Sequence, residues 1–249
     1  MCGIAAIFAY GESAPPVDEA EVLRMREQMV SRGPDGAGEW LSPDRRVGFG
    51  HRRLTIIDLS TSGAQPMWNA DHSLGIIYNG EIYNYAELRA QLAARGYSFH
   101  SHCDTEVLLA LYERNGEEMM SQLRGMYAFA IWDARKQGLF LGRDPFGIKP
   151  LYYSGNGHTI RIASQVKALR AGGGIDLAPD PAGHVGYFLW GHVPDPYTIY
   201  RNIRSLPAGS TMWVDRTGAQ SPRIFCNIST ILREAEANQK SEIRNAMNS

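Results

Sequence analysis

Residues 127–163 decide the fold, and their sequence is YAFAIWDARKQGLFLGRDPFGIKPLYYSGNGHTIRIA. Apolar, β-branched and aromatic residues fall in four short runs, which turn-forming residues separate. The clearest separator is the polar segment 133–138, between the first two runs. Short runs joined by turns predict antiparallel hairpins. The four predicted strands are Tyr127–Trp132, Leu139–Arg143, Leu151–Ser154 and Thr159–Ala163.

The segments on either side of this block mix further strands with helices. Asn84 and Glu87 have the spacing of a capping box, and from about residue 227 a polar, weakly periodic sequence predicts a marginal helix or a linker. Antiparallel hairpins mixed with helices predict an α+β layered fold and not a parallel doubly wound one. The further strands are predicted at 3–10, 46–58, 74–78 and 210–214, and the helices at 18–30, 84–95, from 104, at 164–170 and at 180–190.

Composition excludes several classes of function. The 249 residues have a net charge of -1 and no basic run that would indicate a nucleic-acid surface. No segment approaches the roughly 18 consecutive apolar residues of a membrane span, and the apolar opening at 4–10 is too short for a signal sequence. Cytoplasmic residence is therefore the default expectation. Three cysteines without metal-type spacing predict reduced thiols, with neither a disulfide framework nor a metal site.

Cys2 is a candidate nucleophile because of its position in the chain. Removal of Met1, which precedes a small residue, would give Cys2 a free α-amino group. Such an amine titrates at about pH 7.7–8.0 and a thiol at about 8.5. One residue would then hold both a nucleophile and its base. Position alone favours the plainer interpretation, in which Cys2 is a small buried residue, and the neighbouring sequence decides between the two.

Five blocks of the sequence, in the family's order, resemble a known family. They are Met1–Ile4 (MCGI), Arg32–Gly36 (RGPDG), His51–Asp58 (HRRLTIID), Tyr78–Asn84 (YNGEIYN) and Gly142–Tyr153 (GRDPFGIKPLYY). The first resembles the opening of class II glutamine amidotransferases, which are amino-terminal-nucleophile (Ntn) hydrolases. The other four resemble the glutaminase domain of asparagine synthetases in particular. The resemblance implies a four-layer αββα sandwich, in which two antiparallel sheets lie between helices.

The resemblance also implies a division of the chain at about residue 215. Residues 1–215 would form the glutaminase domain, and residues 216–249 a linker or tail of the kind that leads into a synthetase domain. The Ser-Gly-Gly-x-Asp-Ser pattern of that second domain does not occur in this sequence, and neither does a Gly-x-x-x-x-Gly-Lys-Ser/Thr loop. Residues 198–209 resemble the family's inter-domain surface, so an exposed patch is expected there.

Asn79 and Gly80 are the candidate donors of an oxyanion hole. Amide hydrolysis passes through a tetrahedral oxyanion, which requires hydrogen-bond donors aimed at it. Asn79 has a side-chain NH2, and Gly80 has a backbone N–H with no side chain in the way, directly after an apolar strand. An Asn-Gly pair alone is more often a hairpin turn. The resemblance of the surrounding block implies the catalytic role for both residues.

The remaining candidate residues bind the two charged ends of glutamine. A guanidinium suits the α-carboxylate, and carboxylates suit the α-ammonium. By resemblance, Arg53 binds the former and Glu81 and Asp104 bind the latter. From the residues alone, Arg53 is equally consistent with a surface charge and Asp104 with a helix N-cap, and spacing does not distinguish Arg53 from Arg52. By resemblance, the backbone of four residues also lines this pocket: Leu54, Thr55, Ile56 and Ile57.

The resemblance implies hydrolysis of glutamine to glutamate and ammonia, which supplies ammonia for amide formation as in asparagine biosynthesis from aspartate and ATP. The glutaminase step requires no cofactor, and ATP and Mg belong to a synthetase domain. The expected partners are glutamine, a synthetase domain or subunit in trans and a second copy in a homodimer, with no nucleic acid and no membrane. One alternative is a non-catalytic or regulatory remnant, which Gln165 in place of the family's usual glutamate favours. The other is the ammonia-supplying subunit of a different transferase.

Overall fold

Two antiparallel sheets form the centre of the protein. The computed structural model describes residues 1–247, with side chains through residue 239. In spatial order, the first sheet contains β10 (Arg204–Ser205), β8 (Tyr152–Gly155), β9 (Thr159–Ala163), β1 (Gly3–Ala9), β3 (Val47–Arg53) and β2 (Gly36–Leu41). The second contains β12 (Gly218–Ala219), β11 (Ser210–Asp215), β7 (Gly138–Arg143), β6 (Gly125–Asp133), β5 (Leu74–Ile82) and β4 (Met67–Trp68), and β13 (Arg223–Ile224) also pairs with β11.

The described residues also form six helices, the first four of which pack on the outer faces of the two sheets. They are α1 (Glu19–Glu27), α2 (Tyr85–Ala93), α3 (Asp104–Asn115), α4 (Val166–Gly172), α5 (Pro181–Trp190) and α6 (Ile228–Met247), with 3-10 turns at Thr61–Gly63 and Gly116–Ser121. Asp18 caps α1 by accepting the N–H of Ala20 at 3.0 Å, and Asp180 caps α5 in the same way. Within the described part of the chain, no helix has the length and apolar character that crossing a membrane requires.

The alternation of side chains along β1 explains the four layers. Ile4 and Phe8 belong to a core that also contains Ile77 of β5, so this core lies between the two sheets. Ile7 points to the opposite face of β1 and packs with Met25 of α1. A third core packs α2 and α3 against the outer face of the second sheet. The order of layers is therefore helices, sheet, sheet and helices, which confirms the predicted αββα sandwich.

Two local predictions were wrong, and one strand was not predicted. The strand expected at 46–58 ends at Arg53, because the carboxylate of Asp58 accepts the N–H of Ser60 at 2.8 Å and its hydroxyl at 2.6 Å and so holds a loop. The side chain of Asn84 does not cap α2; it binds backbone groups of the 122–124 segment instead. The edge strand β2 carries no apolar pattern that predicts a strand, since two of its six residues are glycine.

The second sheet continues beyond residue 215. Both β12 and β13 pair with β11, so residues that the sequence assigns to a linker contribute two short strands. Phe225 follows β13 and packs against the core beneath α3. The helix α6 then begins at residue 228, where the sequence predicts a marginal helix or a linker. The division into a domain of residues 1–215 and a linker remains a prediction.

The prediction of an exposed patch at residues 198–209 was also wrong. Ile203 and Leu206 in this segment are fully buried in two of the cores, and only Ile199 is a markedly exposed large apolar residue. Exposed apolar side chains lie instead on α5, at Val185, Tyr187, Phe188, Leu189 and Trp190.

Candidate active site

The predicted site residues come from both sheets and from α3. Cys2 directly precedes β1, the strand that lies between β9 and β3, and Arg53 is the last residue of β3. Residues 79–81 lie in the second half of β5, and Asp104 is the first residue of α3. These elements surround one open cleft of about 600 Å³, its mouth included. Every predicted site residue except Thr55 lines this cleft.

The Cys2 thiol is held by the backbone of Leu54. The N–H of Leu54 donates to Sγ at 3.4 Å, and Sγ lies 3.7 Å from the carbonyl oxygen of the same residue. Arg32 fixes the backbone, because its Nε donates to the carbonyl oxygen of Cys2 at 2.9 Å. Burial raises the pKa of the Cys2 thiol, while the bond from Leu54, the terminal ammonium and Arg53 act in the opposite direction. The sulfur is thus oriented at the cleft wall.

Asn79 presents a buried amide donor that lacks a partner. The residue is 1% exposed, and its Nδ2 forms no hydrogen bond with any described group. Leaving a buried donor unpaired costs about 1–3 kcal/mol, so nearly all such groups in folded proteins are paired. Because Asn79 lines the same cleft as Cys2, this donor is positioned to bind an acceptor atom of a ligand.

The backbone N–H of Gly80 is directed away from the neighbouring strand. Gly80 lies opposite Tyr127 of β6, but Tyr127 uses its N–H and carbonyl oxygen to bind Asp144, at 3.2 and 2.9 Å. The pair is therefore a non-hydrogen-bonded one, and the N–H of Gly80 points to the other edge of β5. Only glycine fits this position, because a Cβ would lie 2.4 Å from the carbonyl oxygen of Met126.

The same edge of β5 carries two other N–H groups, one on each side of Gly80. That of Tyr78 donates to Gln65 Oε1 at 2.6 Å, and that of Ile82 donates to Asp104 Oδ2 at 3.0 Å. These side-chain oxygens accept the backbone N–H groups along the part of the β5 edge that does not pair with β4. The N–H of Gly80 lies between them and, with Asn79 Nδ2, forms a pair of donors on the cleft wall.

Arg53 is oriented by backbone carbonyl groups. Its Nη1 donates to the carbonyl oxygen of Ser60 at 2.7 Å, and its Nη2 donates to that of Asp58. Both acceptors are neutral, so these bonds fix the guanidinium without neutralising its charge. Gly63 leaves room for it, since a Cβ there would lie 2.4 Å from Nη2. The guanidinium therefore keeps its capacity to bind a carboxylate.

The structure distinguishes Arg53 from its neighbour. Successive residues of β3 point to opposite faces, and Arg52 Nη2 forms an ion pair of 2.6 Å with Glu27 on α1. Arg52 does not line the cleft. Thr55 is also outside it, because its N–H donates to Asp35 Oδ2 at 2.8 Å. Of the four backbone positions predicted after Arg53, the other three line the cleft: Leu54, Ile56 and Ile57.

Asp104 and Glu81 supply the carboxylates of the cleft. Asp104 Oδ2 accepts the hydroxyl of Tyr78 at 2.7 Å and the N–H of Ile82. Burial raises the pKa of Asp104, and these hydrogen bonds oppose the rise. Asp104 is the first residue of α3 and not its N-cap, a position that Cys103 occupies without a side-chain bond. Glu81 is partly exposed at the mouth of the same cleft.

Further lining residues were not selected from the sequence. Tyr78 and Lys149 lie inside blocks that carry the family resemblance, which is the signal that could have identified them. Gln65 lies outside every block and carries no such signal. It contributes through folding alone, since its Oε1 accepts from the backbone of Tyr78 and its Nε2 donates to Thr105 Oγ1 at 3.3 Å.

His51 lies near the cleft but has a structural role. Its Nε2 is 3.3 Å from the carbonyl oxygen of Tyr78, a contact between β3 and β5 that joins the two sheets. Burial lowers the pKa of His51 to about 3, so the imidazole is neutral near pH 7. Across the described residues, no three His, Cys, Asp or Glu side chains are grouped as a metal site requires.

Comparison with known proteins shows the family of the chain. The glutamine amidotransferase domain family matches residues 1–225. The chain belongs to this family, as its sequence predicts. An asparagine synthetase [glutamine-hydrolyzing] 1 of Bacillus subtilis strain 168 is 42% identical over 219 residues, which are 88% of this chain and 34% of that protein. A putative asparagine synthetase [glutamine-hydrolyzing] 2 of Methanocaldococcus jannaschii is 34% identical over 233 residues, 86% of this chain and 44% of that protein.

A third relative and a solved structure extend the comparison. The amidase chry2 of Gibberella zeae is 39% identical over 181 residues, 70% of this chain and 27% of that protein. The chain thus spans less than half the length of these three relatives. The structure of glutamine phosphoribosylpyrophosphate amidotransferase from B. subtilis, complexed with ADP and GMP, has a TM-score of 0.65 and 21% identity, and the match covers 90% of this chain and 49% of that one. This likeness shows the fold.

Proposed function

We propose that this chain hydrolyses the side-chain amide of glutamine, with Cys2 as the nucleophile. The observation that carries the proposal is the unpaired Nδ2 of Asn79 in the cleft that Cys2 lines. A tetrahedral oxyanion would supply the missing acceptor, and the N–H of Gly80 would supply a second donor. The family match to glutamine amidotransferases supports the choice of glutamine among amides.

Substrate binding uses the charges on the cleft wall. The α-carboxylate of glutamine binds the guanidinium of Arg53, whose present partners are neutral carbonyls. The α-ammonium binds Asp104 and Glu81, which line the cleft. Leu54, Ile56 and Ile57 line the same cleft. Glutamine, whose Cα carries both the carboxylate and the ammonium, is thereby bound in one orientation, and its amide carbon is presented to Cys2.

The chemical step requires that Met1 be removed. Met1 is half-exposed at the cleft, and its removal would transfer the terminal amine to Cys2. The amine accepts the thiol proton as sulfur attacks the amide carbon, and Asn79 and Gly80 bind the oxyanion. The amine then returns the proton to the departing nitrogen, and ammonia leaves. Water hydrolyses the glutamyl thioester, which releases glutamate and restores the thiol. This step needs no metal or organic cofactor.

The use of the ammonia is a further part of the proposal. Two of the relatives described are named as glutamine-hydrolysing asparagine synthetases. By analogy, residues 1–215 act as a glutaminase domain and residues 216–249 as a linker, and the ammonia is delivered to a synthetase domain or subunit that uses ATP and Mg. We also propose a cytoplasmic location, which the three unpaired cysteines support, as well as a homodimer and no nucleic-acid partner.

A glutaminase assay tests the proposal. Purified protein is incubated with glutamine, glutamate and ammonia are measured, and an intact mass establishes whether the chain begins at Cys2. We expect equal amounts of the two products. The Cys2→Ala variant should be inactive, and Cys226→Ala, a change at a partly buried thiol that does not line the cleft, should keep wild-type activity. Absence of glutamate from folded protein that begins at Cys2 would favour a non-catalytic module instead.

A further inference from the structure

The loop between β7 and β8 holds Lys149 at the cleft. The fully buried carboxylate of Asp144 accepts the N–H of Lys149 at 3.0 Å, as well as those of Phe146 and Ile148. Arg143 binds the other side of the loop, since its Nε donates to the carbonyl oxygen of Lys149 at 3.0 Å. Both backbone polar groups of Lys149 are thus fixed by buried side chains, which determines where its side chain leaves the loop.

Lys149 carries a charge for which the fold gives no partner. The residue is 5% exposed and lines the cleft together with Cys2 and Glu81. Within the part of the chain whose side chains are described, Nζ forms neither a hydrogen bond nor an ion pair. Burial and Arg32 lower the pKa of Lys149, while Asp144, Cys2 and Glu81 act in the opposite direction. Nζ is not among the side-chain atoms that are both buried and unpaired, so the ammonium reaches the open cleft and its charge acts there.

The charges around the beginning of the chain indicate that function. The thiol and the terminal amine are faced by the cations Arg32, Arg53 and Lys149 and by the anions Asp35 and Asp104. Two of the cations have other partners, since Arg32 binds the carbonyl oxygen of Cys2 and Arg53 binds the carbonyls of its own loop. Of these three cations, Lys149 is the one whose charged atom has no hydrogen-bond or ion-pair partner among the described side chains, so it acts on the thiol and the amine through its electrostatic field.

We infer that Lys149 is a positioning residue for the reaction of Cys2: its ammonium keeps the catalytic amine free of a proton and favours the thiolate. The inference rests on the proposed function, because it gives the amine of processed Cys2 the role of base. A nearby cation disfavours a second ammonium and stabilises an anion. Both effects increase the fraction of protein with the base free and the sulfur reactive near pH 7.

The pH dependence of two reactions tests the inference. Lys149→Met removes the charge and keeps an unbranched apolar stem, and Lys149→Arg keeps the charge. In Lys149→Met we expect the acidic limb of kcat/KM to move up by roughly one pH unit, a loss of about tenfold below the limb and little change above it. Lys149→Arg should keep the wild-type position of the limb. Lys149→Gln replaces the Met variant if that protein does not fold.

Alkylation of Cys2 by iodoacetamide gives a readout that needs no turnover. Peptide mass spectrometry follows Cys2 separately from Cys103 and Cys226, and its pH profile should shift in Lys149→Met as the kinetic limb does. A folded variant with both profiles unchanged, or a rate lowered equally at every pH, would overturn the inference. If wild-type protein were inactive, the proposed function would fail, and the alkylation profile would still report whether Lys149 acts on the thiol.

Discussion

At the scale of single residues, Arg53 and Arg52 form a matched pair for testing how the substrate is bound. We expect Arg53→Lys to raise KM for glutamine by roughly 10- to 100-fold, because a hydrogen bond to a charged group contributes about 1.5–3 kcal/mol and lysine lacks the two-nitrogen geometry. Arg52→Lys changes a partner of Glu27 outside the cleft and should leave KM unaltered. Steady-state kinetics of both variants decide the matter, and equal effects of the two changes would contradict the assignment.

Asn79 provides the corresponding test of transition-state stabilisation. Asn79→Ala should lower kcat by roughly 10²- to 10³-fold with little change in KM, since the donor acts on the oxyanion and not on bound glutamine. Its Nδ2 has no described partner, so the free energy of unfolding measured in urea should not fall by the contribution of a hydrogen bond. Asn202→Ala, at an exposed asparagine bound to Asp176, is the control. A kcat for Asn79→Ala within about twofold of wild type would remove Asn79 from the mechanism.

The sequence predicted half of the residues that line the cleft, but not those that support them. Cys2, Arg53 and Asn79 lie in blocks with recognisable chemistry, and all three line the cleft. Gln65 and Lys149 were missed for different reasons. Gln65 acts through a bond to the edge of β5, which only the folded register creates. Lys149 lies in a block that carries the family resemblance, but a lysine in sequence is ordinarily a surface charge, and the bonds that hold its backbone to Arg143 and Asp144 appear only in the fold.

At the scale of elements, the contact between β3 and β5 joins the two halves of the site. His51 of β3 approaches the carbonyl oxygen of Tyr78 of β5 at 3.3 Å. Its pKa is about 3 in the folded protein against an ordinary value of 6.5. The unfolded chain therefore binds one more proton between these values, and the stability that neutral His51 contributes above pH 6.5 is lost as the pH falls toward 3.

Urea unfolding at about pH 7, 5.5 and 4.5 tests this contribution. The free energy of unfolding should fall with acidification by up to about 1.4 kcal/mol per pH unit from this one group. His51→Gln does not titrate, so its stability difference from wild type should shrink as the pH falls. A control substitution at an exposed residue that carries no titratable group should show a constant difference. A constant difference for His51→Gln as well would show that His51 is not a buried neutral group.

The elements that sequence patterns predicted poorly are those whose structure depends on tertiary contacts. The central strands β1, β6 and β7 are continuous apolar runs and were predicted. Among the described strands, the edge strand β2 pairs with β3 alone, and none of its residues is buried, so its apolar pattern is weak. Asn84 has the sequence of a cap, yet its side chain forms its bonds with the 122–124 segment. In both cases, partners that are distant in sequence determine the structure.

At the scale of the whole molecule, two short strands after residue 215 pair with β11 and provide a test of the predicted domain boundary. We expect a fragment of residues 1–215 to have a Tm lower by several degrees than a fragment of residues 1–227. The shorter fragment loses β12, β13 and Phe225, whose N–H donates to the carbonyl oxygen of Gly209 at 2.9 Å. Differential scanning calorimetry of both fragments and of the full chain checks this. Equal Tm values for all three would support a boundary at residue 215.

The layered fold explains why one cleft can hold the whole proposed reaction. The strand that follows Cys2 is central in one sheet, and the strand that carries Asn79 and Gly80 lies in the other. Facing sheets therefore bring the Cys2 thiol and the donors of Asn79 and Gly80 to one cleft, which Arg53, the last residue of β3, and Asp104, the first residue of α3, also line. The strands and helices of the fold thus position the residues of the proposed reaction.

Covalent labelling tests this central claim most directly. The protein is incubated with an electrophilic analogue of glutamine that bears a diazo ketone in place of the amide, and the labelled peptide is identified by mass spectrometry. The account predicts one adduct per chain, on Cys2, that excess glutamine prevents and that Arg53→Lys slows. Labelling that spares Cys2, or that proceeds equally with and without glutamine, would contradict it.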